Sequence, residues 1–177
     1  EEKYRSKEEI KLQDAFFKKL GSISYPSFTI FERNVDLKFL VKVIEDNLLD
    51  PFIRLGLAMP IVNGKNKYLH PDDYKNVAKS IIDLSENSEG ITLTFDCGFP
   101  LCMFSLAEVG KLSQNKENDF MFICGQPLDI YPDLTVTNCY PLSKLHRTTI
   151  QNFKNVKELN EYFEKGFSVS SGMYGEK

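Results

Sequence analysis

The chain has 177 residues, 42% hydrophobic and 27% charged, with fourteen Phe, eight Tyr, no Trp and a formal net charge of −3. This is enough for one sizeable core with a small appendage, and too little for two full-sized domains. Lys and Glu are interspersed and no basic field exists to hold a phosphate backbone, so nucleic acid is not an expected partner. No run approaches the roughly 18 apolar residues of a membrane span, and the opening EEKYRSKEEI lacks the apolar core of a signal peptide. The expectation is a cytoplasmic protein without a membrane partner, and a piece of a longer polypeptide, since the chain opens on Glu and stops at GMYGEK soon after a helical pattern.

Residues 7 to 20 carry Ile10, Phe16, Phe17 and Leu20 on a helical stripe, with Gly21 placed to end the helix. Ser27 to Phe31 reads as a strand. Asp36 is a suitable N-cap for a second helix whose Leu37, Leu40, Val41, Ile44 and Leu48 recur at three- and four-residue intervals, closed by Pro51. The mostly apolar run Phe52 to Met59 suits a buried parallel strand. Pro71, followed by Asp72 and Asp73, starts a third helix with Tyr74, Val77, Ala78, Ile81 and Leu84 facing inward, and the strand Ile91 to Phe95 follows.

Strands alternating with helices are the signature of right-handed crossovers in a parallel sheet, so residues 1–96 are expected to be α/β. They hold about three strands, fewer than a barrel needs. Beyond residue 96 the pattern changes. Ser105 and Glu108 form a capping box for a short helix, and Pro127 to Cys139 reads as a hairpin around Tyr131-Pro132-Asp133-Leu134. A last helix is expected from Val156 to Lys165, capped by Asn155 with Glu158, buried through Val156, Leu159, Tyr162 and Phe163, and ended by Gly166.

All four cysteines fall in the second half: Cys97 and Cys102 with four residues between them, then Cys124 and Cys139 with fourteen. Cytosolic thiols stay reduced, which disfavours disulfides. Cys97 and Cys102 follow a strand at the edge where α/β folds place their sites, while Cys124 and Cys139 sit at opposite ends of the expected hairpin. Four gathered thiolates suit an iron-sulfur cluster or zinc, and buried thiols without a ligand are the third reading. Structural zinc sites usually use tighter knuckles than these spacings, which tilts the choice toward a cluster.

Two other residues stand out. Arg54 interrupts an apolar strand, where a buried charge must find an acid or a polar cavity, and structural pairing is the expected outcome. Asp96, at a strand end beside Cys97, is expected to accept backbone hydrogen bonds in the turn. Both are weaker candidates for binding a substrate or cofactor. His146 and Arg147 have no spacing that joins them to a cysteine as base and nucleophile, and His70, before Pro71, belongs to a loop leading into a helix.

The run Cys124-Gly-Gln-Pro-Leu-Asp-Ile-Tyr-Pro-Asp-Leu-Thr-Val-Thr-Asn-Cys139-Tyr-Pro-Leu resembles the auxiliary-cluster hairpin of radical S-adenosylmethionine enzymes that carry a SPASM or twitch extension. In that pattern nine to fifteen residues separate a cysteine from a glycine, and four more lead to a second cysteine. Here nine residues separate Cys124 from position 134 and four separate 134 from Cys139, but position 134 is Leu. The resemblance implies that residues 1–96 are the last strands and helices of a partial (β/α) barrel and that 97–177 form a small, truncated α+β auxiliary-cluster domain. It also implies a 4Fe-4S cluster on Cys97, Cys102, Cys124 and Cys139, and a peptide or protein substrate. The intact enzyme would add S-adenosylmethionine and a second 4Fe-4S cluster. The C-x3-C-x2-C motif that binds that second cluster is absent, so this chain is not expected to be active alone. The competing expectation is a non-catalytic zinc-binding or cysteine-containing interaction module.

Overall fold

The computed structural model describes residues 6–96, 98–115, 118 and 128–174, with side chains of the last helix described as far as 166. The chain divides into two compact units, one of residues 1–58 and 68–124, the other of 59–67 and 125–177.

In the first unit, α1 (Lys7–Leu20) begins at a capping box in which the Ser6 hydroxyl accepts from Glu9 N–H while the Glu9 carboxylate reaches back to Ser6 N–H. It ends at Gly21, whose φ of 54° is unfavourable for other residues. α1 buries no residue, and Phe16, assigned to its inner stripe, is 60% exposed. β1 (Ser27–Ile30), α2 (Lys38–Asn47), β2 (Phe52–Leu57), α3 (Tyr74–Glu86) and β3 (Thr92–Phe95) follow. Asp36 Oδ1 accepts Lys38 N–H at 3.0 Å at the start of α2. Leu48, in the left-handed conformation, closes that helix before Pro51 is reached.

β1, β2 and β3 form a parallel sheet in that order. Both crossovers step in the same direction, and their right-handedness puts α2 and α3 on one face. Strand alternation therefore splits the sheet. Ile30, Ile53, Leu55, Leu57, Leu93 and Phe95 are buried, with Leu40 and Ile44 of α2 and Val77, Ala78, Ile81 and Leu84 of α3 completing the core. Phe28 meets Phe39 of α2 edge-on, ring centroids 5.2 Å apart.

The outer edges of the sheet differ. Leu93 N–H, directed away from β2, donates to Asn118 Oδ1 at 2.7 Å, and Ile91 C=O accepts from Asn115 Nδ2 at 3.2 Å. Two asparagines thus close β3. At the other side, Pro26 and Ile30 carbonyls accept from Arg54 and Ala58 N–H, so the intervening Ser27 and Thr29 turn their backbone groups away from β2. Among the described residues, a cleft of about 560 Å³ runs along this edge, lined by Phe17, Phe28, Phe31, Phe39, Leu40 and Val43 together with polar residues. The short helix α4 (Leu106–Leu112) starts at the expected Ser105–Glu108 capping box.

The second unit holds the antiparallel sheet of β4 (Asp129–Ile130), β5 (Thr135–Thr137) and β6 (Thr148–Thr149), and helix α5 (Val156–Tyr174). Val136, Leu159 and Phe163 form its core, with Leu128, Ile150 and Phe153 packed against them. The hairpin is present, and β6 adds a strand too short to show a period. Val156 is 63% and Tyr162 40% exposed, so Leu159 and Phe163 alone carry the buried side of the first turns. Gly166 does not end α5, which continues to Tyr174. The glycine permits a close approach instead: a Cβ there would lie 2.8 Å from His146 Nδ1.

Gly166→Ala tests that approach. In an unobstructed helix the change would stabilise by about 0.5–1 kcal/mol, but here it should destabilise by about 1–3 kcal/mol. In a His146→Ala background it should recover the stabilising sign, as read from urea unfolding of the four proteins of the cycle.

Candidate functional site

Each unit presents one candidate site. In the first it is the sheet face opposite the helices. Ser27, Arg54 and Thr94 stand side by side across the three strands. Thr29 and Gly56 are paired in the next row, and Asp96 follows β3. Arg54 Nε donates to Asp96 Oδ1 at 2.8 Å and Nη2 donates to the same oxygen. The pair is not buried: the side chains are 50% and 35% exposed. Hydrogen bonding to Asp96 raises the Arg54 pKa above its ordinary value, with a smaller contribution in the same direction from Tyr25. The expected pairing of Arg54 is therefore met by Asp96, while the expected burial is not. Asp96 Oδ2, not held by Arg54, lies 3.4 Å and Thr29 Oγ1 3.5 Å from where a Cβ on Gly56 would sit.

The cysteines are placed unevenly. Cys97 and Cys124 lie outside the described residues. Cys102 is exposed in the turn Leu101–Met103, where its carbonyl accepts from Lys75 Nζ at 3.1 Å. The neighbouring Tyr74 phenol is raised in pKa, by burial first and by Cys102 second. Cys139, half-buried, follows β5 in the second unit. Neither Cys102 nor Cys139 is disulfide-bonded. Among the described residues, no group of three or more His, Cys, Asp or Glu is placed to hold a metal ion.

The hairpin leading to Cys139 has a definite turn chemistry. Leu134 N–H donates to Tyr131 C=O at 2.9 Å, Tyr131 N–H donates to Thr135 C=O at 2.8 Å, and Leu134 has φ of 64°. This is a three-residue loop, Pro132-Asp133-Leu134, with a left-handed last residue, the position glycine usually takes. Asp133 Oδ1 accepts Thr135 N–H at 3.0 Å, and Arg147 Nη2 reaches Asp133 Oδ2 at 3.3 Å and Thr135 Oγ1 at 3.1 Å. Leu134 C=O accepts from Ile150 N–H at 3.0 Å and from Thr149 Oγ1 at 3.2 Å. Two polar atoms near Cys139 in sequence, Thr137 Oγ1 and His146 Nε2, are buried and have no hydrogen-bond partner among the described residues. His70 Nδ1 accepts Asp72 N–H at 3.3 Å, a capping role that agrees with its place ahead of α3.

Sequence reasoning singled out Arg54 and Asp96 but missed the hydroxyls around them. Their signal was the alternation of Ser27 with Thr29 and of Thr92 with Thr94 inside otherwise apolar strands. Among the described residues no helix is long and apolar enough to cross a membrane. Comparison with protein-family models, with curated proteins and with solved structures returned no match.

Two outcomes follow for the turn. Leu134→Gly should stabilise the hairpin, by up to about 1 kcal/mol, by removing left-handed strain, whereas Leu134→Val should destabilise it, the β-branch being worse still at positive φ. Thermal unfolding of the pair reads both signs. Asp133 is held below the ordinary carboxylate pKa by Thr135, through its hydroxyl and then its amide, and further by Arg147. The turn should therefore keep its full strength above the unfolded carboxyl's pKa and lose it as pH falls through the lowered folded value. The Thr135 amide shift, followed by NMR from neutral to acid pH, checks this.

Proposed function

We propose that this chain is the auxiliary-cluster region of a radical S-adenosylmethionine enzyme acting on a peptide or protein, joined to the closing strands of its partial (β/α) barrel. The observation that carries the reading is Leu134. Leu stands where the family's pattern has glycine, yet it adopts the left-handed conformation glycine would supply, four residues before Cys139. The left-handed geometry that the pattern's glycine would supply is thus met at the matching distance from Cys139. The sheet adds support: Asn115 and Asn118 bond outward backbone groups of β3, whereas among the described residues no strand pairs with the outer edge of β1, which lies beside a cleft of mixed apolar and polar lining where a further strand of a barrel could sit.

The donor chemistry fits a 4Fe-4S cluster. Cys102 and Cys139 are soft ligands outside any disulfide, and Thr137, two residues before Cys139, keeps a buried hydroxyl without a partner among the described residues. Cys97, Cys102, Cys124 and Cys139 would hold the cluster, which when bound supplies single-electron transfer or an iron site for a substrate group. A hydroxyl such as that of Thr137 tunes a cluster by donating to its sulfur atoms.

Anaerobic reconstitution with iron and sulfide tests the reading. The expected product is brown and oxygen-sensitive, with about four irons per chain, and Cys124→Ala and Cys139→Ala should each lower iron content and colour without unfolding the parallel sheet. A colourless protein holding about one zinc per chain would instead establish the zinc-binding module.

A further inference from the structure

Helix α1 carries two apolar stripes, and its own unit uses one. Ile10, Gln13, Phe17 and Leu20 are half-buried, with Gln13 and Phe17 lining the cleft beside β1. Leu12, Ala15 and Phe16 lie on the other side and are exposed, Leu12 to 69% and Phe16 to 60%. A surface helix packs through a single apolar stripe, so the second is surplus to the fold. Its ends are charged. Glu8, Leu12, Ala15 and Lys19 follow one another at intervals of four, three and four, the spacing of a seam between paired helices, and all four are exposed. Acids in a first turn and bases in a last turn suit the helix dipole wherever they lie around the helix. Here one of each falls on the same stripe as Leu12 and Phe16. The neighbouring Glu9 is committed to the Ser6 cap, which leaves Glu8 as the acid of this stripe.

The stripe is complementary to itself in one orientation. When two copies are laid antiparallel about a two-fold axis, Glu8 of each meets Lys19 of the other, and Leu12 meets Ala15 and Phe16 at the centre. A parallel pairing would set Glu8 against Glu8 and Lys19 against Lys19. We propose that α1 is a self-association surface, which pairs antiparallel with α1 of a second copy of this chain. The interface is isologous, so both ends of the seam are closed by the same ion pair. At 1.5 Å per residue, fourteen residues give a seam of about 21 Å. That length places the contact among small, weak interfaces, and the dimer forms only as concentration rises. The cysteines take no part in it, so it stands or falls separately from the cluster.

Sedimentation velocity of the 177-residue protein under reducing conditions, from about 10 μM to about 1 mM, tests this, with monomer expected at the low end and a growing share of dimer at the high end. Leu12→Gln and Phe16→Gln should each weaken the dimer about tenfold or more, with helix content in far-UV circular dichroism unchanged because both side chains are exposed in the monomer. Glu8→Lys and Lys19→Glu should each weaken it about fivefold or more, since each replaces two attractions by two repulsions. Mixing those two charge variants in equal amounts should restore association as a heterodimer, in which lysine again meets glutamate at both ends, and native mass spectrometry of the mixture reads this directly. The rescue needs no substitution at Leu12 or Phe16, so it decides the matter even if the glutamine variants fail to fold. A protein that stays monomeric to about 1 mM overturns the proposal and leaves the stripe to a different partner. A dimer indifferent to Leu12 and Phe16 overturns it as well, and so does a mixture of charge variants that associates no better than either alone.

Discussion

The constraint on which the first unit depends is the common hand of its two crossovers. Because β1, β2 and β3 are laid down in order and each connection is right-handed, α2 and α3 cannot take opposite faces. The apolar side chains of the sheet therefore go to one side, except Phe52, which alternation puts on the face of Arg54, where it meets Tyr25 edge-on with ring centroids 4.8 Å apart. Phe28, Ile30, Ile53, Leu55, Leu57, Leu93 and Phe95 satisfy this, and strand alternation then delivers Ser27, Thr29, Arg54 and Thr94 to the other. The polar face is a consequence of the core, not a separate decoration. A parallel sheet is ordinarily covered on both faces, so a face with an arginine and several hydroxyls is either solvated or occupied.

The same sheet treats its two edges differently. At β3 the outward backbone groups are met by amide side chains, with Asn118 bridging Leu93 N–H to Leu112 C=O. That arrangement occupies the outward donor of Leu93 and the outward acceptor of Ile91, which a further strand would otherwise use. At β1 the outward groups belong to Ser27 and Thr29, and the adjoining cleft mixes four phenylalanines with polar residues such as Gln13, Glu32 and Asn34. Among the described residues the two edges thus differ in how their outward backbone groups are met.

Much of the fold was legible because period and punctuation agree. In α3, Val77, Ala78, Ile81 and Leu84 repeat at helical spacing behind Pro71 and two aspartates, and all four are buried. Arg54 shows where that reasoning reaches its limit. An apolar neighbourhood in sequence suggested burial, but alternate residues of a strand face opposite sides, and only the placement of both helices on one side exposes this one. Gly166 shows another limit: a glycine after an amphipathic run is a stop signal locally, and the His146 ring that requires it comes from twenty residues earlier. The cysteine set was suggested by spacing alone, and of its members only Cys102 and Cys139 fall among the described residues.

Leu134 ties local strain to tertiary support. A left-handed leucine costs about 1–2 kcal/mol relative to an ordinary backbone, and an isolated two-stranded hairpin is too marginal to absorb that. Here its carbonyl accepts two hydrogen bonds, from Ile150 N–H and Thr149 Oγ1, and the preceding Asp133 is engaged by both Thr135 and Arg147. Apart from Thr135 of β5, those partners come from β6 and the residues on either side of it, so β6 serves as the brace of the turn despite being two residues long. The conformation is held from outside the loop. The residue at position 134 is therefore free to be something other than glycine only as long as Arg147, Thr149 and Ile150 remain where they are, and the direction in which the chain leaves toward Cys139 depends on the same three residues.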